Sequence, residues 1–422
     1  MNDALRAAAK KGCLAAVRFL LEEGVDKDDS DKNDKNITAL QLAAMEGHVD
    51  VLRYLVEQGA EKDKANNDGW TALMIAAQNG HLAVLRYLVE QGADKEMANN
   101  NGGTALMFAA ANGHLDVLRY LVEQGAEKDK ATTNGTIALM AAASEGHLEV
   151  LRYLVEQGVD KDKVDNDGDT AIIYAAQNGH LGILRYLVEQ GANKDKANNI
   201  GWTALVAAAS EGHLEVLRYL VEQGAEKDKA NDDGWTALMA AAQEGHLGVM
   251  WYLVEQGVEK DKADNDGATA LMYAAHQGHF GVVEFLLEDG VNLNKVTTDG
   301  ATALHIAAEE DHAEILSLLM AYGASLTART TDGRLPIDMA ANEAIRVLIH
   351  DEPRRRTDHG HKRAVIPDPD VEQASKRSRL EGEGEGEGQA SASASAAQLT
   401  AEELQYEEEV NGDSASSDEE EN

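Results

Sequence analysis

Apolar residues recur along the chain at the spacing of an amphipathic helix. Leu82, Leu85, Leu88 and Val89 stand three or four positions apart, so a helix would carry them on one stripe. Gly92 follows the last of them, and a glycine just beyond an apolar stripe is typical of a helix end. The pattern predicts an amphipathic helix that begins near Leu82 and is closed by Gly92.

A shorter apolar stretch precedes this helix. Asp68-Gly69 is a turn signal because glycine accepts a positive φ. Thr71, just after the turn, can cap a helix with its hydroxyl. The apolar run that follows reaches about Asn79, and Gly80 ends it. A turn and two short helices are therefore predicted for this stretch of the chain.

The turn and its two helices return every 33 residues, as from Thr71 to Thr104. Ile137 and Leu335 take the threonine position in the two units that lack it. A period held this long indicates stacked units that pack only on their neighbours. We predict an all-α solenoid of about eleven units. The other matching threonines are Thr38, Thr170, Thr203, Thr236, Thr269 and Thr302.

The boundaries of the predicted domains follow from this period and from a change of composition. The solenoid, 1–350, divides into a degenerate N-terminal capping unit at 1–37, nine full repeats at 38–331 and a truncated C-terminal capping unit at 332–350. The last helix is expected to end near Ile349. Residues 351–422 carry Glu-Gly and Ser-Ala runs that cannot bury enough apolar surface to fold. We predict a disordered, charged tail.

The 33-residue unit resembles the ankyrin repeat. The family's Thr-Pro-Leu-His motif is complete only in part: Thr302-Ala303-Leu304-His305 keeps the histidine, and Pro336 alone keeps the proline. Methionine takes the histidine position in most units, and alanine replaces the proline in every full unit. The resemblance implies a non-catalytic protein that binds a partner segment on the concave face of its repeats. It implies no cofactor.

Composition narrows the classes of partner. The formal net charge of -37 opposes a nucleic-acid surface and favours a basic protein partner. The single cysteine, Cys13, excludes a disulfide framework and a multi-cysteine metal site. No stretch has the apolar length of a membrane span, and no secretion signal opens the sequence. Neither a phosphate-binding loop nor a nucleophile motif is present, so we expect no enzyme.

Two residue types recur at a fixed position of the repeat in most units, and each has two interpretations. A histidine follows the glycine that ends the first helix, and it serves either a metal ladder or the turn itself. Stacked units stand too far apart to share one tetrahedral zinc, so we favour the structural role. A tyrosine on the second helix is either a binding stripe or packing between units, and we favour packing. The two rows are His48, His81, His114, His147, His180, His213, His246, His279 and His312, and Tyr54, Tyr87, Tyr120, Tyr153, Tyr186, Tyr219 and Tyr252.

The positions at which units differ carry the information about the partner. The position before the threonine, here called the variable slot, holds tryptophan in three units and other residues elsewhere. Exposed Trp and Tyr are common in binding hot spots, and carboxylates nearby would attract an arginine. Covering of neighbouring turns by the Trp rings is the alternative. The predicted partner-binding residues are Trp70, Tyr174, Ile200, Trp202, Glu211, Asp232, Asp233, Trp235, Glu244 and Tyr273.

The tail carries a basic pattern that resembles a bipartite nuclear import signal. Two clusters twelve residues apart make it up: Lys362 and Arg363, then Lys376, Arg377 and Arg379. Incidental basic residues in a linker are the alternative. We expect a monomer in the cytoplasm, the nucleus or both, acting as a scaffold or adaptor. Two further roles remain open, a nuclear regulator that sequesters a basic nucleic-acid-binding protein and a substrate-recruiting subunit of an enzyme complex.

Overall fold

Ten pairs of antiparallel helices follow one another in the computed structural model, which describes residues 2–30 and 36–358. A 3₁₀ helix, Pro336–Met339, and one long helix come after them. In these ranges β-structure is limited to isolated bridges such as that between Ser30 and Thr38. The predicted all-α repeat fold is confirmed. In the same ranges, none of the helices has both the length and the apolar content of a membrane span.

Each pair consists of a first helix of seven to nine residues and a second helix of nine. The pairs are α1 (Asn2–Lys10) and α2 (Leu14–Glu22); α3 (Ala39–Met45) and α4 (Val49–Glu57); α5 (Ala72–Gln78) and α6 (Leu82–Glu90); α7 (Ala105–Ala111) and α8 (Leu115–Glu123); α9 (Ala138–Ser144) and α10 (Leu148–Glu156). Then come α11 (Ala171–Gln177) and α12 (Leu181–Glu189); α13 (Ala204–Ser210) and α14 (Leu214–Glu222); α15 (Ala237–Glu244) and α16 (Leu247–Glu255); α17 (Ala270–Gln277) and α18 (Phe280–Glu288); α19 (Ala303–Glu309) and α20 (Ala313–Ala321). The final helix is α21 (Glu343–Asp358).

The first helices begin at the repeated threonine, as predicted. Thr71 has extended backbone, and its Oγ1 accepts the N–H of Met74 at 3.4 Å. In the last full unit the Thr302 hydroxyl contacts His305 Nδ1 at 2.9 Å. Gln41 plays the same part in the first full unit, since its Oε1 accepts the N–H of Thr38 at 2.9 Å. A polar residue therefore closes this turn near both ends of the array.

The core runs along the array between neighbouring units. The first helices are buried nearly all round, because alanines such as Ala76 and Ala77 let adjacent helices approach closely. The second helices bury only one stripe, for example Val84, Leu85 and Leu88. This difference matches the continuous apolar run and the amphipathic pattern of the sequence.

The histidine row joins each unit to the one before it. His147 Nε2 lies 2.8 Å from the carbonyl oxygen of Ala111, and its ring packs against Gly113 of the preceding unit. Gly113 has a φ of +73°, and a Cβ added there would come within 2.5 Å of His147 Nδ1. The same contact recurs from His48 to His312. The structural interpretation of this row is confirmed.

The tyrosine row also packs between units. The guanidinium of Arg86 lies 5.1 Å from the ring centre of Tyr120 in the next unit, within the range of a cation–π contact. This pairing repeats from Arg18 over Tyr54 to Arg218 over Tyr252. The second-helix tyrosines thus serve inter-unit packing, as favoured from the sequence.

Lysines and aspartates of the loops form a third connection. Lys163 Nζ donates to the carbonyl oxygen of Asp129 in the preceding unit at 2.7 Å. Asp162 Oδ1 accepts the N–H of Asn193 in the following unit at 2.8 Å. Backbone groups of the exposed loops are thereby satisfied by side chains. The recurrent Lys-Asp-Lys loop sequence is part of the scaffold.

The C-terminal end of the array differs from the prediction in one respect. Helix α21 was expected to end near Ile349, but it continues to Asp358. Ile345 and Ile349 are buried and anchor its first half. Once a helix is nucleated by packing, each further residue adds a hydrogen bond at small entropic cost. The predicted boundary at 350 therefore falls inside a helix.

Candidate protein-binding surface

The variable slot lies in a turn whose shape is fixed by an asparagine. Asn198 Oδ1 accepts the N–H groups of Ile200 and Trp202, at 3.2 and 2.8 Å, and the N–H of Asn198 donates to the carbonyl oxygen of Trp202. Asn231 holds Trp235 in the same way at 2.7 Å. Both tryptophans are therefore carried on a backbone that is already ordered.

Trp202, Trp235 and Tyr273 form a continuous row across three units. The indole rings of Trp202 and Trp235 lie 6.1 Å apart between centres and nearly parallel, at 13°. Trp235 meets Tyr273 edge-on, at 5.2 Å and 86°. Ile200, in the turn before Trp202, is 59% exposed. Together these four side chains are called the aromatic row below.

The Trp rings themselves are half-buried, so they both cover turns and reach solvent. The first helices of their units carry Ala207 and Ala240 at the register position that holds Tyr273 in the next unit. An alanine at this position takes up much less space than the tyrosine does. The two interpretations of the Trp side chains, covering and exposure, thus both hold in part.

Tyr273 is fixed in the row by a carboxylate. Its hydroxyl donates a hydrogen bond to Asp264 Oδ2. Burial, followed by this bond to Asp264, raises the pKa of Tyr273 to about 12. The phenol is therefore neutral across the physiological range, and it presents its ring edge rather than a charge.

Carboxylates lie on two sides of the aromatic row. Asp232 and Asp233 are exposed in the turn that carries Trp235. Glu211 and Glu244 stand at the far ends of α13 and α15, one helix length or about 11 Å along the axis from the tryptophans. Burial, and then the negative charge of Glu244, raises the pKa of Glu211. Nearby carboxylates that repel each other form a site that a cation would stabilise.

The turns are also connected from unit to unit, and this connection changes at the aromatic row. At four of the described turns an asparagine bridges to the turn before it, as when Asn199 donates from its backbone to Asp167 and from its side chain to Asn166. Asp232 occupies that position in the next turn, and its side chain has no N–H group to donate. The bridge runs instead from Asn231 Nδ2 to the carbonyl oxygen of Ile200, at 3.1 Å. The exchange places an exposed carboxylate beside Ile200.

Two of the predicted binding residues lie elsewhere. Tyr174 is only 2% exposed, and its hydroxyl donates to Asp165 Oδ2 at 2.6 Å. The expectation that Tyr174 is an exposed contact is wrong, because the ring fills the interior of its own turn. Trp70 is four units away from Trp202 and stacks on Phe108 at 4.1 Å and 26°. Trp70 therefore stands apart from the rest of the predicted set and is paired with a ring that was not predicted.

Ankyrin repeat models match the chain over residues 5–99, 91–165, 139–231, 223–297 and 286–340, which is well over half of its length. The chain belongs to the ankyrin repeat family. Ankyrin repeats mediate protein–protein interaction, and the fold is a typical non-catalytic binding module. The family resemblance inferred from the threonine and glycine spacing is confirmed.

One solved structure similar to this ankyrin repeat chain is the human ASB11 ankyrin repeat domain. The two are 27% identical, with a TM-score of 0.48, over 51% of this chain and 96% of that domain. A comparison with curated protein sequences gave no significant match.

Two features of the ankyrin surface were missed from the sequence. Phe108, only 3% exposed, is the ring on which Trp70 stacks, and the small Gly103 in the variable slot leaves room for it. His276 and Glu310, at the ends of neighbouring first helices, approach to 3.2 Å. The sequence did offer a signal for the contact between Trp70 and Phe108. Phe108, Tyr174 and Tyr273 all stand four residues after the threonine position, so they occupy equivalent places in their units.

Asp169 occupies the variable slot of the unit that precedes Trp202. Its Oδ1 accepts a hydrogen bond from Asn198 Nδ2 at 2.8 Å. Burial raises the pKa of Asp169 from 3.8 to about 6, the bond from Asn198 opposes this, and Asp165 and Asp167 add to it. The carboxyl beside the aromatic row thus changes charge near pH 6.

We expect Asp169→Asn to stabilise the ankyrin array above pH 6. The raised pKa means that the folded state holds its proton more tightly than the unfolded chain, so ionisation at higher pH costs stability. The variant should gain about 1–2 kcal/mol at pH 7.5, discounted because the side chain still reaches water, and little at pH 4. Urea unfolding followed by circular dichroism at several pH values measures this gain. Asp167→Asn removes the same charge from an exposed side chain and should gain much less, since Asp167 is the smallest of the contributions that raise the pKa of Asp169.

The basic residues of the predicted import signal, Lys362, Arg363, Lys376, Arg377 and Arg379, lie outside the described residues. So does most of the tail predicted for 351–422. Both remain predictions. Within the ranges that are described, no group of three or more acidic, histidine or cysteine side chains is arranged to hold a metal ion.

Proposed function

We propose that the chain is a non-catalytic adaptor that binds an arginine-bearing segment of a partner protein on the aromatic row. The observation that carries this proposal is the contiguous run of Trp202, Trp235 and Tyr273 with carboxylates on two sides. The segment would lie on the concave face predicted for the repeats at 1–350. The chain would act as a monomer in the cytoplasm or nucleus.

Arginine suits this surface better than lysine does. A planar guanidinium stacks on an indole face, and it can also bind a carboxylate through two parallel hydrogen bonds. Asp232 and Asp233 on one side, and Glu211 and Glu244 on the other, supply acceptors for separate arginines of the segment. The cation–π term contributes about 0.5–2 kcal/mol, depending on how fully the contact excludes water.

The scaffold lowers the entropic cost of binding. The turn asparagines, Asn198 and Asn231, hold the backbone of both tryptophans before any partner arrives. Stacking further restricts the two indole rings. A surface that is already ordered loses little conformational freedom on association, so more of the contact energy appears as affinity.

Neutralising Glu211 and Glu244 tests the electrostatic part of the proposal. We expect Glu211→Gln with Glu244→Gln to weaken binding of a fluorescent Arg-Leu-Arg-Arg peptide about three- to tenfold at low salt. The loss should shrink as salt is raised, because the Debye length falls to about 10 Å at 0.1 M. Fluorescence anisotropy titrations at several salt concentrations give the dissociation constants.

The matched control removes two charges from the opposite side of the repeats. Glu149 and Glu215 are exposed on the second helices α10 and α14. The variant Glu149→Gln with Glu215→Gln changes the net charge equally and should leave the affinity within about twofold, since both carboxylates are exposed on the second helices, away from the turns that carry the row, and are screened by the surrounding water. If both double variants weaken binding equally, the effect comes from the overall charge of the protein, and the proposed site is wrong.

A further inference from the structure

The pair formed by Trp70 and Phe108 occupies the same face as the aromatic row, four units nearer the N-terminus. Their ring centres lie 4.1 Å apart, which is closer than the 6.1 Å between Trp202 and Trp235. Gly103 makes this stack fit, because a Cβ there would come within 2.7 Å of the Phe108 ring. Trp70 stays half-buried and so reaches solvent at the turn.

The surroundings of the pair differ from those of the aromatic row at matching positions. Where the row has Glu211 and Glu244 at the ends of its first helices, the pair has Asn79 and Asn112. The exposed turn residues Asp232 and Asp233 correspond to Asn100 and Asn101. Four carboxylates near the row thus correspond to four neutral amides at the equivalent repeat positions near the pair. Asp68 adds a carboxylate to the Trp70 turn.

These amides are already engaged with the fold. Asn79 Nδ2 donates to the carbonyl oxygen of Ile75 at 2.9 Å, and Asn112 Nδ2 donates to that of Phe108 at 2.9 Å. Each side chain therefore offers its carbonyl oxygen, which accepts hydrogen bonds from peptide N–H groups and carries no charge. With Asp68 as its one added carboxylate, the pair attracts a cation less strongly than the row does.

We propose that Trp70, held in place by its stack on the buried Phe108 ring, forms a second subsite for an uncharged aromatic or aliphatic anchor of the same partner segment. This inference rests on the proposed function of the aromatic row. The expected partner segment then has two parts: an arginine-bearing part that binds the aromatic row, and a neutral apolar part that binds at Trp70. The polarity of the two subsites fixes the direction in which the segment lies on the repeats.

The spacing of the subsites sets the length of the segment. Four units separate Trp70 from Trp202, which is roughly 40 Å at about 10 Å per packed helix. An extended chain spans at most about 3.3–3.6 Å per residue, so about twelve residues or more must separate the two anchors. A shorter segment reaches one subsite only.

Fluorine NMR of the full chain labelled with 5-fluorotryptophan tests the assignment. The four tryptophans, Trp70, Trp202, Trp235 and Trp251, give four resonances, assigned by single Trp→Phe variants. A neutral peptide, acetyl-Gly-Phe-Ser-Leu-Gly-amide, should shift the Trp70 signal, and acetyl-Gly-Arg-Leu-Arg-Gly-amide those of Trp202 and Trp235. Trp251 lies on the second helix α16 and serves as the unshifted reference.

The two failures are distinguishable. If the neutral peptide leaves the Trp70 signal unmoved, or shifts only Trp202 and Trp235, the second subsite is wrong whatever the arginine peptide does. If the arginine peptide shifts neither Trp202 nor Trp235, the proposed function of the row fails instead. Asn79→Glu with Asn112→Glu is the matched swap, and it should make the Trp70 signal respond to the arginine peptide.

Peptides that carry both anchors test the spacing. Joined by a flexible linker of about sixteen residues, the two anchors should bind about tenfold more tightly than when a four-residue linker joins them, because the second contact becomes intramolecular. Trp70→Ala should abolish this gain. A gain that persists in Trp70→Ala, or equal affinity for the two linkers, would overturn the bipartite assignment.

Discussion

Replacing Gly113 with alanine is expected to lower the free energy of unfolding by about 2–4 kcal/mol, the largest effect we predict for a single methyl group. Gly113 has a φ of +73°, where a side chain is strained. The new Cβ would also meet His147 Nδ1 at 2.5 Å, which forces the ring away and breaks its 2.8 Å contact with the carbonyl oxygen of Ala111. Urea unfolding followed by circular dichroism measures the loss.

Gly125 offers a control for the backbone strain alone. Its φ of +81° is similar, but a Cβ there meets nothing within 4 Å. Gly125→Ala should therefore cost only about 1 kcal/mol, the part that comes from the left-handed backbone. If the two variants lose the same stability, the histidine row contributes nothing to the packing between units.

Replacing both Trp202 and Trp235 with alanine is expected to weaken binding of an arginine-bearing peptide about 30- to 150-fold. Aromatic hot-spot residues typically contribute about 2 kcal/mol or more each, and neighbouring losses are not additive, so roughly 2–3 kcal/mol is expected for the pair. Both side chains lie in half-buried turn positions, so the helices they precede should remain folded. Anisotropy titration gives the change in dissociation constant, and circular dichroism verifies the helix content.

Trp251 supplies the control for the loss of an indole. It occupies the second-helix position that holds an arginine in seven other units, such as Arg218 in the preceding unit. Trp251→Arg therefore restores the usual residue on the opposite side of the repeats. We expect its affinity for the peptide to equal that of the wild type. A loss comparable to that of the double variant would point to a general change of fold.

The repeated part of this structure could be predicted from sequence because every unit presents the same neighbours to the next. Gly113, Thr71 and His147 each recur with the period, and the glycine and histidine positions make the same contact with each other from unit to unit. A residue that recurs with the period of the repeat indicates a contact that recurs with the same period. The fold, the helix ends and the structural roles of the histidine and tyrosine rows followed from that rule.

The candidate binding surface could not be predicted in the same way, because it lies where units differ. Tyr174 and Tyr273 share one register position, yet Tyr174 is buried against Asp165, whereas Tyr273 is half-buried and meets Trp235. Which environment a ring receives depends on the variable slot of the unit before it, Thr136 in one case and Trp235 in the other. Pairs of non-periodic residues that lie about one unit apart leave no local pattern, so packing alone decides them.

Isothermal titration with an arginine peptide and its citrulline counterpart tests the central claim most directly. Citrulline keeps the shape of arginine without its charge, so cation–π and carboxylate contacts are lost while apolar contacts remain. We predict that the wild-type chain binds acetyl-Gly-Arg-Leu-Arg-Gly-amide at least tenfold more tightly than the citrulline form, and that Trp202→Ala with Trp235→Ala removes most of this preference. Equal binding of the two peptides by the wild type, or an unchanged preference in the double variant, would contradict the account.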